Sequence, residues 1–256
     1  MKKEELQEII NYLTKKTKIS ENEFKCELLK KYPNIEKNYR FLLSNLYRNN
    51  IIYRYDTGIL KPCKDKKDFI FTMPLDKNLK SSLESIEPSI IISTWQLADL
   101  NKYMTLQSFY NIVFIETYSY AIDIVLNKLL EIGEKVVFEK DYNTYIKYNN
   151  FGTLYVIKRI NDETPIVRQE LTIVGKEIMN SYIVPPKIEK IIVDIIVDDL
   201  FEVILGDETS KILRELLYNY KINMATIKRY ATKRHNWPRV KYAIESIGFN
   251  IEEGEF

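Results

Sequence analysis

Two sets of basic side chains are the residues with the most evident chemistry. In the first, Tyr39, Leu42, Leu43 and Leu46 recur at i, i+3, i+4 and i+7, the spacing of one buried helical stripe. At about 100° per residue, that stripe leaves Lys37, Phe41, Ser44 and Arg48 pointing outward, flanked by Arg40 and Asn45. Basic, amide and hydroxyl side chains hydrogen-bond base edges and phosphates, so this face is a candidate DNA-reading surface. Phe41 would touch thymine methyls or pack against the next domain. Arg54, Lys61 and Lys64 follow in the wing and are candidates for phosphate contact. The second set lies between Lys221 and Lys241, which holds seven Lys and Arg and no acidic residue. Within it, Lys228, Arg229, Lys233 and Arg234 would meet DNA or an acidic partner, or form a solvated face.

Catalytic chemistry has thinner support. His235 is the only histidine, which excludes a multi-histidine metal site. Cys26 and Cys63 fit no zinc or redox spacing. Neither glycine-rich phosphate motif is present. Asp194, Asp198 and Asp199 lie on the polar side of an isoleucine-striped helix and read as a solvated face rather than a metal pair. The string Val136–Asp141 lacks the spacing of a restriction-nuclease-like core. No active site, no cofactor and no metal are expected.

The elements that position the basic residues can be read in turn. Leu6, Ile9, Ile10 and Leu13 give a first helix. Ser20 and Glu23 form a capping-box signature for a second, which Pro33 ends. Asn34 would cap a third, Ile35 to about Arg48. Ile51–Tyr55 and Ile59–Lys61 then read as a hairpin turning at Asp56-Thr57-Gly58. Residues 67–88 read as a connector with a short strand at Phe69–Phe71. Beyond it, strands are expected at 90–93, 111–116, 136–138, 153–157 and 166–172. Helices are expected at 94–106, 122–130, from 188, and near 207–219, 223–234 and 237–247.

Charge follows the same division. Residues 1–67 carry a net +7 and the remainder −5, as if a module that meets a polyanion were joined to one with another task. Apolar residues make up 45% of the chain, enough for a real core. No signal peptide and no run of about 20 apolar residues is found, so a cytoplasmic location and no membrane contact are expected.

Three helices and a hairpin in about 65 residues follow the plan of a winged helix-turn-helix, whose third helix enters the major groove. The C-terminal half contains Pro165-Ile166-Val167, the run Tyr182-Ile183-Val184-Pro185-Pro186 through Glu189-Lys190 to Asp194, Lys221-Ile222-Asn223 and Lys228–Arg234. In these segments it resembles AbiEi-like antitoxins, transcriptional regulators paired with nucleotidyltransferase-like AbiEii toxins in bacterial phage defence. The resemblance implies a protein that binds repeats in its own promoter and represses the operon. Its C-terminal domain would counteract the toxin without a stable complex, and Glu189, Lys190 and Asp194 would make polar contacts that fix their helix.

The expected fold is therefore mixed α+β: a winged helix-turn-helix over 1–66, a connector over 67–88 and an α/β antitoxin domain over 89–256, with a small central sheet and a helical tail. The expected function is a non-enzymatic, DNA-binding antitoxin. A metal-dependent nuclease relying on Asp194, and a regulator whose α/β domain binds a small ligand, are the alternatives. Six phosphate contacts would lower DNA affinity on the order of a thousandfold between 50 and 200 mM salt.

Overall fold

A computed structural model describes residues 3–63, 66–72, 74–87, 90–106, 110–148, 152–167, 172–174, 177–179 and 183–254. The architecture is mixed α+β, with helices packed around small sheets.

The chain opens with α1 (Lys3–Thr14), β1 (Ile19–Ser20), α2 (Glu21–Lys31), a 3-10 segment (Pro33–Asn38), α3 (Tyr39–Arg48), β2 (Ile52–Asp56) and β3 (Ile59–Pro62). The three strands form an antiparallel sheet in the order β1-β3-β2. Gly58 supplies the positive φ, +68°, that the β2–β3 turn needs. Ile9, Leu13, Phe24, Leu28, Leu42, Leu46 and Leu60 close the core of this module.

Two local expectations change here. Ser20 makes no side-chain cap: its backbone belongs to β1 opposite Ile59, and Glu21 donates its N–H to the Gly58 carbonyl, so sheet pairing replaces the capping box. Asn34 does not cap α3, because Pro33–Asn38 winds as 3-10 helix and the α-helix starts at Tyr39.

The remaining chain builds a five-stranded sheet from β4 (Ile92–Gln96), β5 (Asn111–Tyr118), β6 (Val136–Phe138), β7 (Thr153–Ile160) and β10 (Ile183–Val184). A hairpin of β8 (Thr172–Val174) and β9 (Glu177–Met179) stands apart from it. The order is β10-β4-β5-β7-β6, with only the β4–β5 pair antiparallel. Alternate residues of each strand feed opposite faces. Val113 and Ile115 meet α4 (Lys77–Glu84) and α5 (Ile122–Glu131), through Leu79, Leu83, Val125 and Leu129. Ile112 and Phe114 belong to the core built with α7 (Ile188–Val197), α8 (Asp199–Leu205), α9 (Glu208–Asn219), α10 (Met224–Lys233) and α11 (Trp237–Ser246). The helix α6 (Tyr142–Tyr148) lies between β6 and β7 in the chain.

The segment expected as helix at 94–106 instead completes β4 and continues as 3-10 helix over Leu97–Tyr103. Trp95 and Leu97 are fully buried, and continuous burial of this kind hides the period that distinguishes strand from helix. Of the strand expected at 166–172, Ile166 forms an isolated bridge to Pro186 and Thr172 begins β8, while residues 168–171 lie outside the described residues. Residues 67–88 contain α4, and Lys67 bridges to Tyr220.

The β2–β3 sheet uses both faces. Leu60 faces the N-terminal core, whereas Tyr53, Tyr55 and Cys63 join the core of the larger sheet. Across this seam the Asn250–Gly254 turn docks on the sheet. Tyr55 Oη donates to the Ile251 carbonyl at 2.6 Å, and Lys61 Nζ donates to the Glu253 and Gly254 carbonyls at 2.6 and 3.0 Å. Gly254 has φ +70°, and a Cβ there would sit 2.7 Å from the Tyr55 ring, so the turn requires glycine on both counts.

Lys61 is therefore not a phosphate contact. It is 4% exposed, and its ammonium is used up on carbonyls near the other end of the chain. Lys61→Met leaves those carbonyls without their donor, at a cost of about 1–3 kcal/mol. A lower urea midpoint is the expected outcome, and an unchanged midpoint would contradict a structural role for Lys61.

Candidate nucleic-acid interface

The stripe expected on α3 is the stripe that is buried: Tyr39, Leu42, Leu43 and Leu46 all lie in the core. Packing of this amphipathic face fixes the other side toward solvent. Lys37, Arg40 and Arg48 are exposed, and Ser44 and Asn45 are half-buried. Among the described residues, none of the three cations has an ion-pair partner. Phe41 is 67% exposed, so it does not pack against the rest of the chain. A groove of about 920 Å³ runs beside it, lined by Leu6, Tyr32, Pro33, Asn38 and Asn45 among others.

Arg54 on β2 is exposed and pairs loosely with Glu21, at 3.5 Å. Lys64 lies outside the described residues. The structure thus brings Arg40, Phe41, Ser44, Asn45 and Arg48 onto α3, places Lys37 in the 3-10 turn just before it rather than on the helix itself, adds Arg54 on the adjoining sheet, and removes Lys61.

The C-terminal patch divides. Lys228, Arg229 and Lys233 are exposed on α10. Lys228 lies 5.9 Å from the Trp237 ring centre, and Arg229 pairs with Glu163 at 3.2 Å. Arg234 does not belong with them. Its guanidinium bonds Asp194, at 2.9 Å, and Asp198. Burial alone would push its pKa down, but these two carboxylates hold it above the ordinary arginine value.

Those carboxylates overturn the solvated face expected for Asp194 and Asp198. Both are buried, and only Asp199 is exposed. The cause is two charges placed inside apolar strands. Glu116 on β5 and Lys158 on β7 are register partners and continue the Phe114 and Val156 side of the sheet, against α7. Lys190 Nζ bonds Glu116 at 2.6 Å and also Asp194. Lys158 Nζ reaches Asp198, Glu139 at 3.1 Å and Asp194 at 3.4 Å. Tyr230 Oη donates to Asp194 at 3.1 Å, and Trp95 Nε1 to Glu116 at 3.3 Å. Four carboxylates and three cations thus tie β5, β7, α7, the end of α10 and the Glu139–Asp141 3-10 turn after β6 into one unit.

The network sets its own ionisation. Burial would raise the Asp194 pKa, but Lys158, Lys190 and Arg234 hold it well below the usual carboxylate range. Burial would lower Lys158, but Asp194, Asp198 and Glu139 hold it well above the usual lysine value. At the partly exposed edge, burial wins for Glu139 and keeps its pKa up despite Lys158. Sequence reading missed Glu116, Glu139 and Lys158. The available signal was a charge interrupting each near-continuous apolar run, Phe114-Ile115-Glu116 and Val156-Ile157-Lys158.

With its carboxylates committed to lysine and arginine, the network supplies no argument for a nuclease centre at Asp194. Among the described residues, no group of three or more His, Cys, Asp or Glu is placed to hold a metal ion. No helix among them is long and apolar enough to cross a membrane.

Residues 38–249 match the model of a family of unknown function, DUF6577. No curated protein matches the chain.

Proposed function

The chain belongs to the DUF6577 family, and from that premise we propose that it is a DNA-binding antitoxin that represses its own operon. In this reading the N-terminal helices and β1-β3-β2 sheet act as a winged helix-turn-helix, with α3 laid in the major groove and Arg54 on the flanking backbone. The observation that carries the proposal is the outer face of α3. With Lys37 of the preceding 3-10 turn, it combines three cations that form no ion pair among the described residues, two small polar side chains and an exposed Phe41. Phe41, exposed beside these cations and a groove of about 920 Å³, offers an apolar surface that can meet thymine methyls.

The rest of the chain would be the antitoxin domain. Similarity of its Pro185–Asp194 and Lys221–Arg234 segments to AbiEi-like antitoxins supports a role against a nucleotidyltransferase-like toxin, exerted without a stable complex. Glu189, Lys190 and Asp194 then hold α7 in place through internal contacts rather than touch the toxin.

A promoter reporter tests the proposal. The DNA upstream of the chain's own reading frame drives the reporter, and the chain is supplied in trans. Repression of several-fold is expected, lost with Arg40→Ala/Arg48→Ala. Unchanged output with wild-type protein would remove the autorepressor reading.

A further inference from the structure

Where the N-terminal module meets the body, a pocket of about 460 Å³ opens between the end of α3, β2 and the start of α10. That volume is in the usual range for small-molecule sites, which favour such junctions. Its polar lining includes Asn50, Arg54, Asp68, Glu189, Lys221 and Asn223.

Glu189 is the unusual member. It is 7% exposed, it accepts the Asn223 backbone N–H at 2.9 Å, and among the described residues no cation forms an ion pair with it. Burial pushes its pKa up, as expected of a carboxylate short of positive charge. Arg54, which also lines the pocket, pairs loosely with Glu21 at 3.5 Å and lies beside Tyr47. Lys221, largely buried, is held by Asn50 Oδ1 at 2.8 Å and Asp68 at 2.9 Å. Asn50 itself adopts a left-handed backbone, φ 54°, a conformation that non-glycine residues adopt at some cost. The lining therefore carries two cations and two anions. That balance disfavours a simple phosphate, which Glu189 and Asp68 would repel.

We propose that this junction pocket binds a small zwitterion of the α-amino-acid class, its ammonium on Glu189 and its carboxylate on the Arg54 side. Such a ligand joins β2 of the N-terminal module to α7 of the body, and so ties the DNA-facing unit to the rest of the chain. The site does not depend on the DNA-binding reading and is tested without DNA.

The experiment is thermal shift, then calorimetric titration, of the full chain with each of the twenty standard L-amino acids. The amine and the carboxylic acid corresponding to any hit serve as controls. At least one amino acid is expected to bind more tightly than about 1 mM, and neither control to match it. Glu189→Gln keeps an acceptor for the Asn223 N–H but loses the charge, and weakens the hit about tenfold, the scale of one charge-assisted hydrogen bond. Arg54→Met does likewise, whereas Lys211→Met, in a separate groove, leaves binding unchanged. The proposal is overturned if no amino acid binds the wild type, or if the hit binds Glu189→Gln as tightly as the wild type.

Discussion

Lys158→Met is expected to cost about 3–5 kcal/mol at neutral pH, the usual penalty for removing one partner of a buried ion pair. For a chain of this size that corresponds to a fall in Tm on the order of 10 °C. Lys158 is the cation shared by Asp194, Asp198 and Glu139. Without it, four carboxylates face only Lys190 and Arg234.

The pH dependence gives this prediction a sign that simple cavity formation lacks. In the wild type, the folded pKa of Asp194 is depressed. Its stabilising contribution is therefore complete above the ordinary carboxylate range and is lost as pH falls through the folded value below it. In Lys158→Met the carboxylates lose their shared cation and their folded pKa values rise. A raised carboxylate pKa contributes stability at low pH that disappears as pH increases through the folded value. Denaturant unfolding between pH 7 and pH 5 should thus narrow the gap between variant and wild type. A gap that stays constant would mean that Lys158 acts only as filler.

The second large effect is the response of DNA affinity to salt. With Lys61 committed to carbonyls, four placed cations remain for phosphate contact: Lys37, Arg40, Arg48 and Arg54. At about 0.9 counterions per contact, the proposed DNA complex is expected to weaken by roughly 150-fold between 50 and 200 mM salt. This is shallower than the thousandfold expected from six contacts. Each of these cations replaced by alanine should reduce the log–log slope by about one, whereas Lys61→Met should leave it unchanged. A slope near zero would contradict a DNA surface built on this basic face.

The amphipathic helices were readable because burial there follows a local period. Tyr39, Leu42, Leu43 and Leu46 are buried, and Lys37, Arg40, Phe41 and Arg48 exposed, as the stripe on α3 requires. The long helices near 208–219, 224–233 and 237–246 follow for the same reason. What escaped reading depends on partners remote in the chain. Lys61 looks like a wing cation until the Asn250–Gly254 turn lies against it. Arg234 looks like its basic neighbours until α10 sets it against Asp194 and Asp198. Asp194 and Asp198 look solvated because the Ile188–Val197 pattern cannot reveal that Lys158 approaches from β7. Charge within an apolar helix has two readings, and only tertiary contact separates them.

The central claim is that α3 reads DNA, and a mobility shift with the chain's own upstream DNA tests it most directly. Wild type and Lys37→Ala/Arg48→Ala are compared in the presence of excess unrelated duplex. These substitutions lie on the exposed side of the module, so the double variant should fold as the wild type does. A specific complex with wild type that disappears in the variant is the predicted result. No specific complex with wild type, or one that the double variant retains, would contradict it.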